Sequence, residues 1–234
     1  MTVLNEALDG LRRMIAAGEV TPGEKFPSET ELCARLNVSR SSLREAVRTL
    51  SALGVIESRH GSGTYLSRLD PAQVIRNFSL TVDLLPLDSL LQLFEIRRVL
   101  EAHMAAQAAA RCTPALADSL NSLIVRMEDE PDPRLAADLD SQFHRLICDA
   151  GGNPTITSLI DVFRSRGSHY KIMEGTAAAE VRAASDAGHR SIAAAIIARD
   201  PIAAQSAAAS HVAQTEYWLR LLLDPGTPHV AEAI

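Results

Sequence analysis

The sequence predicts a mainly α-helical chain in two parts: an N-terminal winged helix-turn-helix, then an all-helical antiparallel bundle of six or seven helices. Three observations carry that prediction. Two short helix patterns, at 28–36 and 40–53, stand either side of a three-residue turn. Two strand-like stretches follow, around a glycine-rich tip at 59–63. From Asp70 onward no strand pattern remains, and alanine-rich segments of helical length alternate with Pro and Gly breakers.

The elements follow in order. Leu4, Leu8, Leu11 and Ile15 recur at three-to-four spacing with charges between them, an amphipathic helix ended by Gly18. Thr21-Pro22-Gly23-Glu24 is a turn signal, and Ser28 and Glu31 have the S-x-x-E spacing of a capping box. The second helix therefore starts near Ser28, passes Leu32 and Leu36, and stops at Asn37, which tolerates the left-handed conformation that ends many helices. Ser39 caps a third helix with Leu43, Val47 and Leu50 inward and Gly54 as its stop.

Arg40, Arg44 and Arg48 fall at i, i+4 and i+8 on the outer face of that third helix. Guanidinium groups suit phosphate oxygens and the O6/N7 edge of guanine, and Ser39, Ser41 and Ser42 near the helix start can donate to phosphates. An ordinary solvated helix carries similar charges, so the next segment matters. Residues 55–58 and 64–67 read as strands flanking Arg59-His60-Gly61-Ser62-Gly63, which is a wing. Its tip, with Arg59, His60 and the small Gly61, suits the minor groove.

Charge supports the division. The chain of 234 residues carries a net charge of -6, yet residues 1–69 hold nine basic against eight acidic side chains, leaving 14 against 21 beyond them. Between 35 and 68, six arginines face only Glu45 and Glu57. A hydrophobic content of 47% is enough for proper cores. There is no apolar run of membrane length and no signal-peptide core, so the cytoplasm is the expected compartment and no membrane is expected as a partner. Cys33, Cys112 and Cys148 lack CxxC spacing and read as core thiols.

Beyond a short linker at Asp70-Pro71, helical segments are predicted at 71–84, 88–111, 114–129, 133–150, 154–174, 177–199 and 201–223. The expected domains are 1–69 and 70–224, with 225–234 as a loose tail. Asp140 and His144 stand at i and i+4 and so share a helix face. His189 and His211 each lie eleven residues from Asp200, so an antiparallel hairpin turning there sets the two imidazoles level. Three histidines and one carboxylate are donors for zinc, with nickel or manganese as alternatives. Taken singly, each histidine is equally a hydrogen-bonded core or surface residue. His103, His169 and His229 lack a partner pattern and are assigned no site.

From Phe26 to Ser67 the chain resembles the GntR family of regulators. The resemblance is carried by Pro27-Ser28-Glu29, Val38-Ser39-Arg40, Leu43-Arg44-Glu45-Ala46, Gly54-Val55-Ile56 and Gly61-Ser62-Gly63-Thr64-Tyr65. It implies that Arg40 and Arg44 contact operator DNA, that Ser39 touches its backbone, and that His60 and Gly61 form the wing tip. The family often has arginine after Pro-Ser-Glu; here Thr30 stands there. The remainder resembles the FCD ligand-binding domain of the FadR subfamily, in Glu95-Ile96-Arg97-Arg98-Val99-Leu100-Glu101, Asp140-Ser141-Gln142-Phe143-His144, Gly152-Asn153-Pro154 and His189-Arg190-Ser191-Ile192. That resemblance implies that Asp140, His144, His189 and His211 ligate a metal at a cavity floor and that Arg97 holds a carboxylate effector there. Arg97 suits the task because its planar fork matches a carboxylate bidentately. A salt bridge to an acid on the Glu95–Glu101 helix is the plainer use for it.

The expected function is a homodimeric, DNA-binding transcriptional regulator on a pseudo-palindromic operator, a repressor released by a small organic acid. Two rivals remain at this level. In one the ion itself is the signal. In the other the metal activates water for a hydrolase, a reading that leaves the helix-turn-helix unexplained and finds no separate carboxylate as general base.

Overall fold

In the computed structural model, which describes residues 3–82, 84–167 and 178–223, the chain opens with α1 (Val3–Ala16), α2 (Glu29–Leu36) and α3 (Arg40–Ala52). The antiparallel strands β1 (Ile56–Arg59) and β2 (Gly63–Leu66) and the short α4 (Pro71–Arg76) follow. Side chains set the helix starts. Ser28 Oγ accepts from Glu31 N at 3.3 Å and Ser39 Oγ from Ser42 N at 3.1 Å, each satisfying a backbone donor the helix cannot. Asn37 ends α2 in the left-handed region at φ 54°. Ile56 pairs with Leu66 and Arg59 with Gly63, and Ile56 and Leu66 turn their side chains into a core shared with Leu11, Phe26, Leu32, Leu43 and Leu50.

This first unit ends at Phe78 and a second begins at Ser79. The second contains α5 (Ser79–Val82), α6 (Leu87–Ala110), α7 (Pro114–Asp129), α8 (Pro133–Gly151), α9 (Pro154–Gly167), α10 (Ala178–Ile197) and α11 (Pro201–Leu223). Thr113 and Asp132 cap α7 and α8, each with proline in the first turn. The bundle core gathers Ala105, Ala108, Leu120, Phe143, Ile147, Ile192, Ile196 and Ala204 from five of the six long helices. Small alanines let α6, α10 and α11 approach closely, and the larger residues of α7 and α8 fill the remaining space.

One expected element differs. The segment 71–84 is not a single helix: α4 stops at Arg76 and α5 starts at Ser79. Asn77 and Phe78 turn away through tighter bonds, Asn77 N to Val74 O and Phe78 N to Ile75 O. The Asn77 amide fills the space where Gly54 has no side chain. The expected tail at 225–234, residues 168–177 with His169, and His229 lie outside the described residues. Cys112 and Cys148 are buried and Cys33 is half-buried against the first core. No helix among the described residues is long and apolar enough to cross a membrane.

Candidate functional site

The first unit exposes Arg40, Arg44 and Arg48 along α3. The first turn of α2 holds two of them: both oxygens of Glu29 accept from Arg44 Nε, at 3.2 and 3.0 Å, and Thr30 Oγ1 lies 3.5 Å from Arg40 Nη2. Exposed pairs of this kind contribute little stability in water. Their effect is to restrain two long cations on the exposed face of α3. Thr30, which stands where the resembled family often has a cation, thus supports Arg40. Ser39 Oγ lies 2.8 and 2.9 Å from the hydroxyls of Ser41 and Ser42, a small polar cluster at the helix start.

In the wing, His60 and Gly61 sit exposed at a turn closed by Ser62 N to Arg59 O at 3.0 Å, with Gly61 at φ 69°. Arg59 behaves differently from an extended tip residue. Its guanidinium folds over the Tyr65 ring, 4.2 Å from the centroid, and donates to Glu57 at 3.0 Å. Cation–π stacking and the carboxylate hold it along the strand pair.

In the second unit, α8 carries Asp140 and His144, α10 His189 and α11 His211. Asp200 caps α11 by accepting from Ile202 N and Ala203 N, and the α10–α11 hairpin brings the His189 and His211 rings to 4.5 Å between centroids. His144 completes the group, 5.3 Å from His189 and 5.2 Å from His211. One ligand atom from each of Asp140, His144, His189 and His211 lies within 4.8 Å of all the others. The imidazoles are 3–6% exposed, and among the described residues His144 Nε2, both nitrogens of His189 and His211 Nδ1 have no hydrogen-bond partner. His189 Nε2 is 3.1 Å from Asp140 Oδ1 without the geometry of a hydrogen bond. Unpaired buried nitrogens are costly unless something else satisfies them, and this donor set fits a divalent transition metal.

The electrostatics suit the same role. Burial, then Arg164 nearby, pushes the His144 imidazole down to about 4, and burial lowers His211 well below its usual range. Both rings are therefore neutral at neutral pH, the form that ligates. Withdrawal from water acts to raise Asp140, but the Arg164 guanidinium beside it leads the groups that outweigh this and hold its carboxyl well below the ordinary range.

These residues open on a cavity of about 530 Å³ that Arg97, Arg164 and Trp218 also line. Arg97 is 5% exposed, with its guanidinium over the Phe94 ring at 4.5 Å and its Nε donating to Glu101 at 2.8 Å. The plainer salt bridge is thus present, and Arg97 faces the cavity as well. Three residues were not singled out from the sequence as site residues. Glu101, buried, takes Arg97 on one oxygen; its other oxygen is 3.1 Å from His144 Nδ1 and 3.3 Å from Arg164 Nη1. Burial alone would raise its carboxyl, but the two arginines hold it well below the ordinary range. Arg164 donates to Asp140 at 2.5 Å. Gly188 leaves room for His211: a Cβ there would overlap Nδ1 and lie 3.2 Å from Cγ. The i, i+4 spacing of Arg97 and Glu101 was a readable signal; no local spacing points to Arg164 or Gly188.

Comparison with known proteins gives these geometries a context. Residues 4–66 match the model of "Bacterial regulatory proteins, gntR family" and residues 92–214 that of the "FCD domain". The chain is 34% identical over 149 residues to the HTH-type transcriptional regulator LutR of Bacillus subtilis (strain 168), covering 63% of this chain and 68% of that protein. It is 31% identical over 174 residues to the putative L-lactate dehydrogenase operon regulatory protein of Escherichia coli (strain K12), covering 71% and 67%. Among solved structures, a GntR protein of Streptococcus agalactiae is 30% identical, with a TM-score of 0.57 over 92% of this chain and 99% of that one. With a helix-turn-helix presenting outward arginines and a helical domain built round a cavity, the chain belongs to the GntR family, in its FadR-like branch with an FCD domain, and is a DNA-binding transcriptional regulator, not an enzyme.

Proposed function

We propose that this regulator holds a divalent transition metal, zinc first, between Asp140, His144, His189 and His211. A small organic acid in the adjoining cavity then sets its affinity for operator DNA. The convergence of three buried imidazoles with unpartnered nitrogens on one carboxylate carries this reading. A bound cation supplies positive charge on which a carboxylate can be seated. The chain's own residues do the rest. Arg97 makes no hydrogen bond through its terminal nitrogens among the described residues and so offers its fork to the ligand. Glu101, beside His144 Nδ1, orients that ring so that Nε2 faces the donor set. Arg164 holds Asp140 in place. The names of relatives agree in kind, since one is described as regulating an L-lactate dehydrogenase operon.

The output is read by a homodimer whose two α3 helices enter successive major grooves of a pseudo-palindromic site. Arg40, Arg44 and Arg48, the hydroxyls of Ser39, Ser41 and Ser42, and the wing residues Arg59, His60 and Gly61 make the contacts. The effector acts by binding the two states of the regulator unequally, and release from the operator, hence repression, is the proposed direction.

Two measurements test the halves separately. His189→Ala is expected to leave the dialysed protein without its metal by elemental analysis and to remove the effector's influence on operator binding; full metal content would overturn the ligand set. Arg44→Ala is expected to weaken operator binding by about 1–3 kcal/mol per half-site while metal content and unfolding are unchanged. A footprint equal to that of the parent would remove Arg44 from the contact list.

A further inference from the structure

A single charge pair joins the two helices of the helix-turn-helix. Glu29 stands at the first position of α2, where the unbonded N–H groups of the helix favour a carboxylate. Both of its oxygens accept from Arg44 Nε of α3, at 3.2 and 3.0 Å. Among the described residues Arg44 Nη1 and Nη2 make no hydrogen bond, and the side chain is 64% exposed. Glu29 thus takes one edge of the guanidinium and leaves its two-pronged end free. Arg48, one turn further along α3, forms no ion pair among the described residues.

That difference bears on what each arginine can read. A phosphate attracts net charge, and neutralising it releases a counterion; a base edge is uncharged and is recognised through hydrogen bonds. The Glu29–Arg44 pair has no net charge, so a phosphate gains little from it and is repelled by the carboxylate. The free fork still matches the O6 and N7 acceptors of guanine, which call for two donors held in one plane. Arg48 keeps its full charge for the phosphates. An arginine with no anion on its Nε edge would also have to be arrested on binding, a loss of about two- to tenfold in affinity for one long side chain. From the free fork of Arg44 and the carboxylate on its Nε edge, we infer that Glu29 is a positioning residue that determines specificity. It reserves Arg44 for one guanine in each half-site and keeps it off the DNA backbone. The inference rests on the operator reading under Proposed function and adds to it which contact reads a base and what holds that contact to its task.

The probe is a pool of random-sequence duplexes, from which the full chain and its variants each select their sites. The parent is expected to enrich a site with a guanine in each half that Arg44→Ala no longer requires. Affinities are then measured on the parent's selected duplex and on the same duplex with that G·C pair changed to A·T in one half-site. The parent is expected to discriminate between them by about 5- to 150-fold, the range of one bidentate contact. Glu29→Gln keeps the shape of the side chain and removes its charge, and is expected to cut that discrimination by about two- to tenfold. On an unselected duplex the same variant is expected to bind more tightly than the parent, with a salt dependence steeper by about one ion per chain, because Arg44 is released to a phosphate. Damage to the fold lowers both affinities, so the opposite signs separate positioning from structural loss. In the Arg44→Ala background Glu29→Gln is expected to change guanine preference no further. Undiminished discrimination by Glu29→Gln, or an even loss on both duplexes, would overturn the role of Glu29 and leave the operator reading intact. An Arg44→Ala variant that binds more weakly yet keeps every base preference would likewise overturn it, making Arg44 a backbone contact. A parent that selects no sequence would overturn the operator reading itself.

Discussion

Gly188→Ala is expected to empty the metal site as thoroughly as removing a ligand. In an exposed helix interior this substitution ordinarily stabilises by about 0.5–1 kcal/mol, because glycine has more backbone freedom to lose. Here the new methyl would overlap His211 Nδ1 and crowd its Cγ and Cβ. The His211 ring sits 4.5 Å from His189 and 5.2 Å from His144, centroid to centroid, so it has no space to retreat towards the other ligands. Either His211 rotates out of the group, or α10 and α11 part; both leave three donors where four had converged. Elemental analysis after dialysis is expected to show the metal lost, and thermal unfolding to show no gain in midpoint. A variant that keeps a full complement of metal and unfolds later than the parent would mean that the contact relaxes cheaply and that the closeness of Gly188 to His211 is incidental.

The second large effect falls on stability. Glu101 is 5% exposed and is the shared acceptor for Arg97 and Arg164 as well as the neighbour of His144 Nδ1. Replacing it by alanine leaves buried Arg97 without its anion and leaves Arg164 only Asp140. Uncompensated buried charge costs about 3–5 kcal/mol. Glu101→Ala is expected to lose that much in urea unfolding, and the loss is expected to persist when both proteins are measured with a chelator. It therefore belongs to the arginines and not to the metal. A loss below about 1 kcal/mol would show that water or a side-chain shift satisfies both guanidinium groups. Glu101→Ala with Arg97→Met is expected to recover part of the deficit, because the second change removes the orphaned cation.

Much of the first unit is local and was open to a reader of the sequence. Ser28, Asn37, Ser39 and Gly54 mark helix ends by chemistry within a few residues, and Arg40, Arg44 and Arg48 share a face by periodicity alone. What sequence spacing does not convey there is that Glu29 and Thr30 reach across from α2 to hold Arg44 and Arg40, or that Arg59 lies back on Tyr65. Those contacts depend on the angle at which elements meet.

The bundle shows the same division. Asp140 with His144 is a one-turn relation, and His189 with His211 is a hairpin relation measurable from Asp200; both are lengths along the chain. Glu101 to Arg164 spans 63 residues and Gly188 to His211 spans two helices, so neither can be counted off. The break at Asn77 has no local sign because the apolar pattern of 71–84 continues through it, while the Asn77 amide finds its place against Gly54, far behind it in the chain.

By itself, then, the sequence determined the ends of the first unit's three opening helices, the outward arginine stripe, the wing and the candidate ligands, because each depends on neighbours within a turn or a hairpin. Only the tertiary structure decided that Arg97 is buried beside Glu101, that Arg164 restrains Asp140, and that Gly188 makes room for His211. Charge pairing and steric exclusion act through space between helices whose packing no local pattern specifies.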